Sequence, residues 1–119
     1  MVSSYGPKAG GLHNDGINIA APKGSPVKAA ENGVVAYVGA ELKGFGNLVL
    51  IKHQGDYVTA YAHNDQILVK RGDIVRRGQT IARVGSTGSV DTPQLHFEIR
   101  KGSRAVEPTA EMTSQSAAK

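Results

Sequence analysis

Four histidines, His13, His53, His63 and His96, are the side chains in this sequence best suited to ligating a metal or moving a proton near neutral pH. Cysteine is absent, so neither a thiolate metal site nor a disulfide framework is available. Any metal would have to be held by imidazole, carboxylate or weaker oxygen donors. Taken singly, a histidine at a strand end is more often a hydrogen-bonded structural residue than a ligand. His53 reads as structural and His13 as exposed. The glycines of Gly44-Phe45-Gly46 form a turn rather than a phosphate cradle, because no helix follows whose N-terminal amides could hold an anion.

The elements that must position these residues are short apolar runs punctuated by Gly, Asn, Asp and Pro. The spacing predicts strands over 16–20, 27–29, 34–39, 47–53, 57–63, 80–84 and 95–100. Turns are expected at 22–26, 44–47 and 54–56, and a loop at 85–93. Gly72-Asp73-Ile74-Val75 and Gly78-Gln79-Thr80-Ile81 echo each other and read as successive turn and strand starts. Leu48, Leu50 and Lys52 alternate with Val49, Ile51 and His53, and both sets are largely apolar, which marks a central strand. This pattern is an all-β one, a sheet stack or partly open barrel. Residues 1–108 are expected to form the domain. Residues 109–119, with no aromatic and no branched aliphatic residue, are expected to form a disordered tail or linker.

The whole chain is 119 residues long, one domain's length, with a formal net charge of +4. The excess suits an anionic partner without naming one. Six aromatics (Tyr5, Tyr37, Phe45, Tyr57, Tyr61 and Phe97) are too few for a stacking platform, so nucleic acid is not expected as a partner. Lys70, Arg71, Arg76, Arg77, Arg83, Arg100, Lys101 and Arg104 make the second half the more basic one. No apolar run approaches the ~20 residues of a membrane-spanning helix, and the first residues lack the charged start and apolar stretch of an export signal. The 69–84 segment is similar to the turns of biotinyl and lipoyl carriers, but the modified-lysine tetrapeptide of a carrier is missing.

Gly16-Ile17-Asn18-Ile19-Ala20-Ala21-Pro22, followed by Gly24-Ser25-Pro26-Val27, resembles the opening of the lysostaphin and LytM type of zinc endopeptidase domain. Asn32-Gly33-Val34-Val35, Ile51-Lys52-His53, Tyr61-Ala62-His63, Gly78-Gln79, Gly85-Ser86-Thr87-Gly88 and Leu95-His96-Phe97-Glu98-Ile99 continue it in order. The resemblance runs from about Tyr5 to Pro108 and is greatest to the divergent NlpD, EnvC and DipM group. It implies an antiparallel β-sheet stack, barrel-sandwich-like, with an open groove. Active members hold zinc through the His and Asp of H-x-G-x-D and the second His of H-x-H, leaving a position for water. Histidines in Y-x-H and at the start of H-x-H help activate that water.

Carried over residue by residue, three of these five positions are lost: Asn14, Asn18 and Gln94 stand where His, Asp and His are required. His63 and His96 remain. A neutral amide is a poor zinc ligand beside imidazole or carboxylate. His13 and Asp15 lie one residue off and, in an extended strand, face away from Asn14, Gly16 and Asn18. A rebuilt zinc site would need a one-residue slip or a bulge near Gly16. No catalytic residue, metal or other cofactor is therefore expected.

The resemblance implies a non-catalytic regulator that binds and activates a peptidoglycan amidase or other cell-wall hydrolase, in the periplasm or cell envelope and during division. Its export signal would lie outside this chain. A monomer is expected, with peptidoglycan itself as a further partner. Asn14, Asn18, Tyr61, His63, Gln94 and His96 are expected on the groove floor, and Phe45, Asn47 and Thr92 on its walls. A peptidoglycan endopeptidase with a rebuilt metal site and a passive peptidoglycan-binding module are the competing readings.

Overall fold

The computed structural model describes residues 6–7, 13–14, 16–102 and 104–106, with side chains for 16–102. Eleven strands are present among them: β1 (Gly6–Pro7), β2 (His13–Asn14), β3 (Ile17–Ala20), β4 (Pro26–Lys28), β5 (Gly33–Gly39), β6 (Asn47–Lys52), β7 (Tyr57–Ile67), β8 (Ile74–Val75), β9 (Thr80–Val84), β10 (Gln94–Lys101) and β11 (Arg104–Val106). Each of the seven expected strands is present, with ends moved by at most one residue except in β7, which runs four residues further. β8 starts where the echoed glycine motif placed a strand. β11 was not anticipated. The tail expected over 109–119 lies outside the described residues.

β1 pairs with β2 apart from the rest. The main sheet runs β11, β10, β7, β6, β5, β8, with every pairing antiparallel. β3 pairs with the first half of β10, so Asn18 lies directly opposite His96. β7 belongs to two layers. Up to Asn64 it pairs with β6 and β10, and from Asn64 onward it pairs with β9, which in turn pairs with β4. The strand changes partner at His63, which has a left-handed φ of 68°.

That bend encloses the main core. Val27, Ile81, Ala82 and Val84 on one side meet Val35, Val49, Ile51, Tyr61, Phe97 and Ile99 on the other. β6 shows why both of its faces are apolar: Val49 and Ile51 enter this core, while Leu48 joins Ala60 and Ala62 in a second cluster on the opposite face. Each fully buried aliphatic or aromatic side chain stabilises the fold by roughly 1.5–3 kcal/mol.

Three turns of one kind clasp the strand ends. In 22–25, 70–73 and 76–79 the fourth residue's N–H donates to the first residue's carbonyl, and a left-handed glycine (Gly24, Gly72 or Gly78) is third. Each glycine N–H then donates to a carbonyl in or just past a strand, that of Val84, Val35 or Ala29, and the carbonyl of the turn's last residue accepts from the N–H of that same residue. The echoed glycines of the sequence, Gly72 and Gly78, belong to the last two of these turns.

Candidate functional site

On β10, alternate residues Gln94, His96 and Glu98 point to one face of the sheet, and all three are buried. Asn18, opposite His96, joins them. The four side chains make one ordered chain of hydrogen bonds. Gln94 Nε2 donates to the Thr92 carbonyl at 3.2 Å, which turns Gln94 Oε1 toward Asn18. Asn18 Nδ2 donates to Gln94 Oε1 at 2.8 Å, so Asn18 Oδ1 accepts from His96 Nδ1 at 2.9 Å. On its other side, His96 Nε2 donates to Glu98 Oε2 at 2.7 Å. Glu98 Oε1 accepts from Arg100, with Nε at 2.9 Å. The Thr92 carbonyl thus sets the direction of the two amides, and the His96 ring links Asn18 to Glu98.

His63 reaches the same face by a different route. Strict alternation would leave it beside Tyr61 in the core; its left-handed backbone turns it out instead. Two loops hold it there. Its N–H donates to the Phe45 carbonyl at 2.9 Å, and its Nδ1–H donates to the Thr87 carbonyl at 2.7 Å. The two loops also bind each other, Ser89 N–H to the Gly44 carbonyl and Asn47 N–H to Thr87 Oγ1. They approach so closely that a Cβ on Gly46 would sit 2.4 Å from the Thr87 carbonyl carbon, and one on Gly88 2.6 Å from the Gly44 oxygen. Only glycine fits at either place.

Between these loops and β10 lies an open pocket of about 280 Å³ lined by Asn18, Lys43, Gly44, Phe45, His63, Ser89, Val90 and His96. The His63 and His96 rings are 6.0 Å apart, and the Phe45 ring lies 5.9 Å from that of His96. With its Nδ1 bound to Thr87, His63 presents Nε2 to this space.

Of the residues expected on the groove floor, Asn18, His63 and His96 line the pocket, and Gln94 lies buried behind Asn18. Tyr61 does not belong to it. Its side chain is 1% exposed in the main core, its ring packs 5.4 Å from Phe97, and its hydroxyl accepts from the Ala30 N–H. Asn14 has its backbone paired with Gly6 in β2. Its side chain, with that of His13 and the whole of Asp15, lies outside the described residues. Of the expected walls, Phe45 lines the pocket. Asn47 instead ties β6 to β7 through the Asn64 carbonyl, and Thr92 orients Gln94. Lys43, Gly44, Ser89 and Val90 complete the lining and lie outside the expected set. His53 is structural, linking the Asn32 carbonyl to Thr59 Oγ1 and, through it, to the Tyr61 hydroxyl.

The described side chains do not fit the zinc that this arrangement holds in an endopeptidase. Asn18 offers no negative charge, its Oδ1 is bonded to the ring nitrogen of His96, and Gln94 is bonded to Asn18. A metal taken by Asn18 Oδ1 and His96 Nδ1 would have to break the hydrogen bond that joins them.

Burial holds His63 below the ordinary histidine range; its bond to the Thr87 carbonyl works the other way, and the nearby His96 adds to the lowering. Burial pushes Glu98 up, but the hydrogen bonds and charges of His96 and Arg100 together outweigh it and hold the carboxyl below its usual range. For both groups the folded pKa lies below the unfolded one, so each contributes stability that is present above the unfolded value and lost as pH falls through the folded value. Acidification is expected to weaken the fold in two steps, the first beginning near pH ~6.5 from His63 and the second near ~4.3 from Glu98. Urea denaturation at pH 8, 5.5 and 4 checks this. His63→Gln flattens the first step and leaves the second.

A family model described as Peptidase family M23 matches residues 12–108. Among curated proteins, the chain is 49% identical over 108 residues to the Escherichia coli protein named Uncharacterized lipoprotein YgeR, covering 91% of this chain and 42% of that protein. It is 49% identical over 100 residues to Cell division protein DipM of Caulobacter vibrioides (84% and 16%). It is 47% identical over 108 residues to Murein hydrolase activator NlpD of Escherichia coli (91% and 28%). The chain thus spans less than half the length of these relatives. Among solved structures, a point-mutant catalytic domain of the prophage-encoded M23 protein EnpA from Enterococcus faecalis superposes with a TM-score of 0.83 at 38% identity, covering 90% of this chain and 86% of that one. The catalytic domain of lysostaphin from Staphylococcus simulans superposes with a TM-score of 0.85 at 33% identity (92% and 89%). The all-β antiparallel fold is that of these peptidase domains.

Proposed function

The chain belongs to peptidase family M23, and from that premise we propose that it is a non-catalytic activator of cell-wall hydrolases, N-acetylmuramoyl-L-alanine amidases above all. The observation that carries this reading is the closed hydrogen-bond chain from Thr92 to Arg100, in which Asn18 stands where a peptidase needs an ionised zinc ligand and Gln94 where it needs a water-activating imidazole. The pocket beside it persists, with an aromatic wall at Phe45 and a cation at Lys43. Such a cavity can hold a segment of another protein without cutting it. Its floor is assigned to Asn18, His63 and His96, backed by Gln94. Relatives named murein hydrolase activator and lipoprotein support a place in the cell envelope for this chain.

Activation requires that the domain bind the active form of the hydrolase more tightly than the resting form. A shift from 1:99 to 99:1 takes about 5.5 kcal/mol of preference. Dye release from labelled sacculi, with the domain alone, a periplasmic amidase alone and both together, tests the proposal. Release above that of the amidase is expected only in the mixture. Release by the domain alone would refute it, and sacculus pelleting without any stimulation would favour a passive wall-binding module. Val90→Trp, which fills the pocket from its rim, is expected to bring the mixture back to the level of the amidase alone.

A further inference from the structure

Direct cross-strand partners in an antiparallel sheet point to the same side. Ile74 pairs with Val34, Val34 with Lys52, Lys52 with Val58, and Val58 with Arg100. Arg100 shares its face with Glu98 and His96 on β10. One face of the sheet therefore continues from the pocket to the far edge strand β8. At that edge it ends in an aliphatic pair: Ile74 is 79% exposed and Val34 45%. An isoleucine so exposed on a short edge strand contributes nothing to the core.

Its charged surroundings are one-sided. Lys52 lies in the same row, and the two turns flanking β8 present Lys70, Arg71, Arg76 and Arg77, all exposed. Against them stand Asp73, whose carboxylate accepts from the Lys70 N–H, and Glu31, 4.0 Å from Arg77. From β10 to β8 is four strand spacings, so the edge lies roughly 20 Å across the sheet from His96.

We propose that this edge is a second contact for the hydrolase that occupies the pocket, an inference that rests on the activator reading above. It fits a partner segment bearing an aliphatic side chain flanked by Asp or Glu. Ile74 and Val34 lose their water against the aliphatic group, and the cations meet the carboxylates. The cations act chiefly on encounter rate and partner choice, and salt screens them.

The test is affinity for a purified periplasmic N-acetylmuramoyl-L-alanine amidase by biolayer interferometry, at 0.05 and 0.5 M NaCl. Ile74→Glu is expected to weaken binding at least tenfold at both salt concentrations. The double variant Arg71→Glu/Arg76→Glu is expected to weaken it tenfold at low salt and much less at high salt. Thermal melts confirm folding, and the double variant decides the matter should Ile74→Glu not fold. If both variants bind within twofold of the parent while Val90→Trp binds no longer, the edge contact is refuted and the pocket reading stands. If the edge variants lose binding and Val90→Trp does not, the edge stands and the pocket reading falls. Loss of pelleting with phosphatidylglycerol vesicles at unchanged amidase affinity would assign the edge to a membrane and overturn the proposal.

Discussion

A domain carrying Asn14→His, Asn18→Asp and Gln94→His together is expected to take up one zinc ion, and the parent is expected to take up none. The reason lies in the donor set. Asn18→Asp removes the Nδ2–H that now bonds Gln94 and supplies a carboxylate next to His96. Gln94→His frees that side chain from the Thr92 carbonyl, and His96 Nδ1 loses the amide acceptor that fixes its proton. Asn14→His supplies the remaining imidazole. Each single change leaves at most two good ligands, which is too few for a tetrahedral site. Metal content by mass spectrometry after dialysis reads the result. Zinc at a thousandfold over its dissociation constant would also stabilise the triple variant by about 4.1 kcal/mol. Failure to bind would mean that the backbone around β2 and β3 no longer brings the ligands together.

Glu98→Ala is expected to be the most destabilising single change at the site, by about 3–5 kcal/mol, because it removes one partner of a buried charged network and leaves the others. Glu98 is 2% exposed and accepts from both His96 and Arg100. Its cross-strand neighbour is Ala60, which can accept nothing from a side chain. Glu98→Gln keeps the volume and one acceptor, so it should cost less. For a domain of this size each kcal/mol lowers Tm by roughly 4–8 °C. Urea denaturation at pH 7.5 measures both variants; a loss under ~1 kcal/mol for Glu98→Ala would show that Glu98 does not hold His96 in place.

The strands were legible because their ends are chemically marked. Pro22, Gly24, Gly55, Gly72 and Gly78 sit in turns, and β6 announced its central place by having no polar face. Short edge strands such as β11 carry no periodicity and are set by their neighbour in the sheet. At the site, alternation along a strand places Asn18, and the resemblance supplied His63. That residue defeats simple alternation because its φ is positive, a feature no residue type at 63 announces. Tyr61 was misplaced for the same reason: it obeys the alternation that His63 breaks. Lys43, Ser89 and Val90 come from loops whose meeting depends on contacts between distant glycines. The only trace of that meeting is the coincidence of Gly44 and Gly46 in one loop with Gly88 in the other.

Those glycine contacts separate two things that are usually inherited together. The outline of the cavity is fixed by main chain pressed against main chain at Gly46 and Gly88 and by the Thr87 carbonyl that holds the His63 ring. The character of its floor is carried by a few replaceable side chains on β3 and β10. Lineages can therefore exchange the chemistry of the floor one codon at a time while the mould around it stays the same, and a cutting tool can become a handle without the protein ever passing through a new fold.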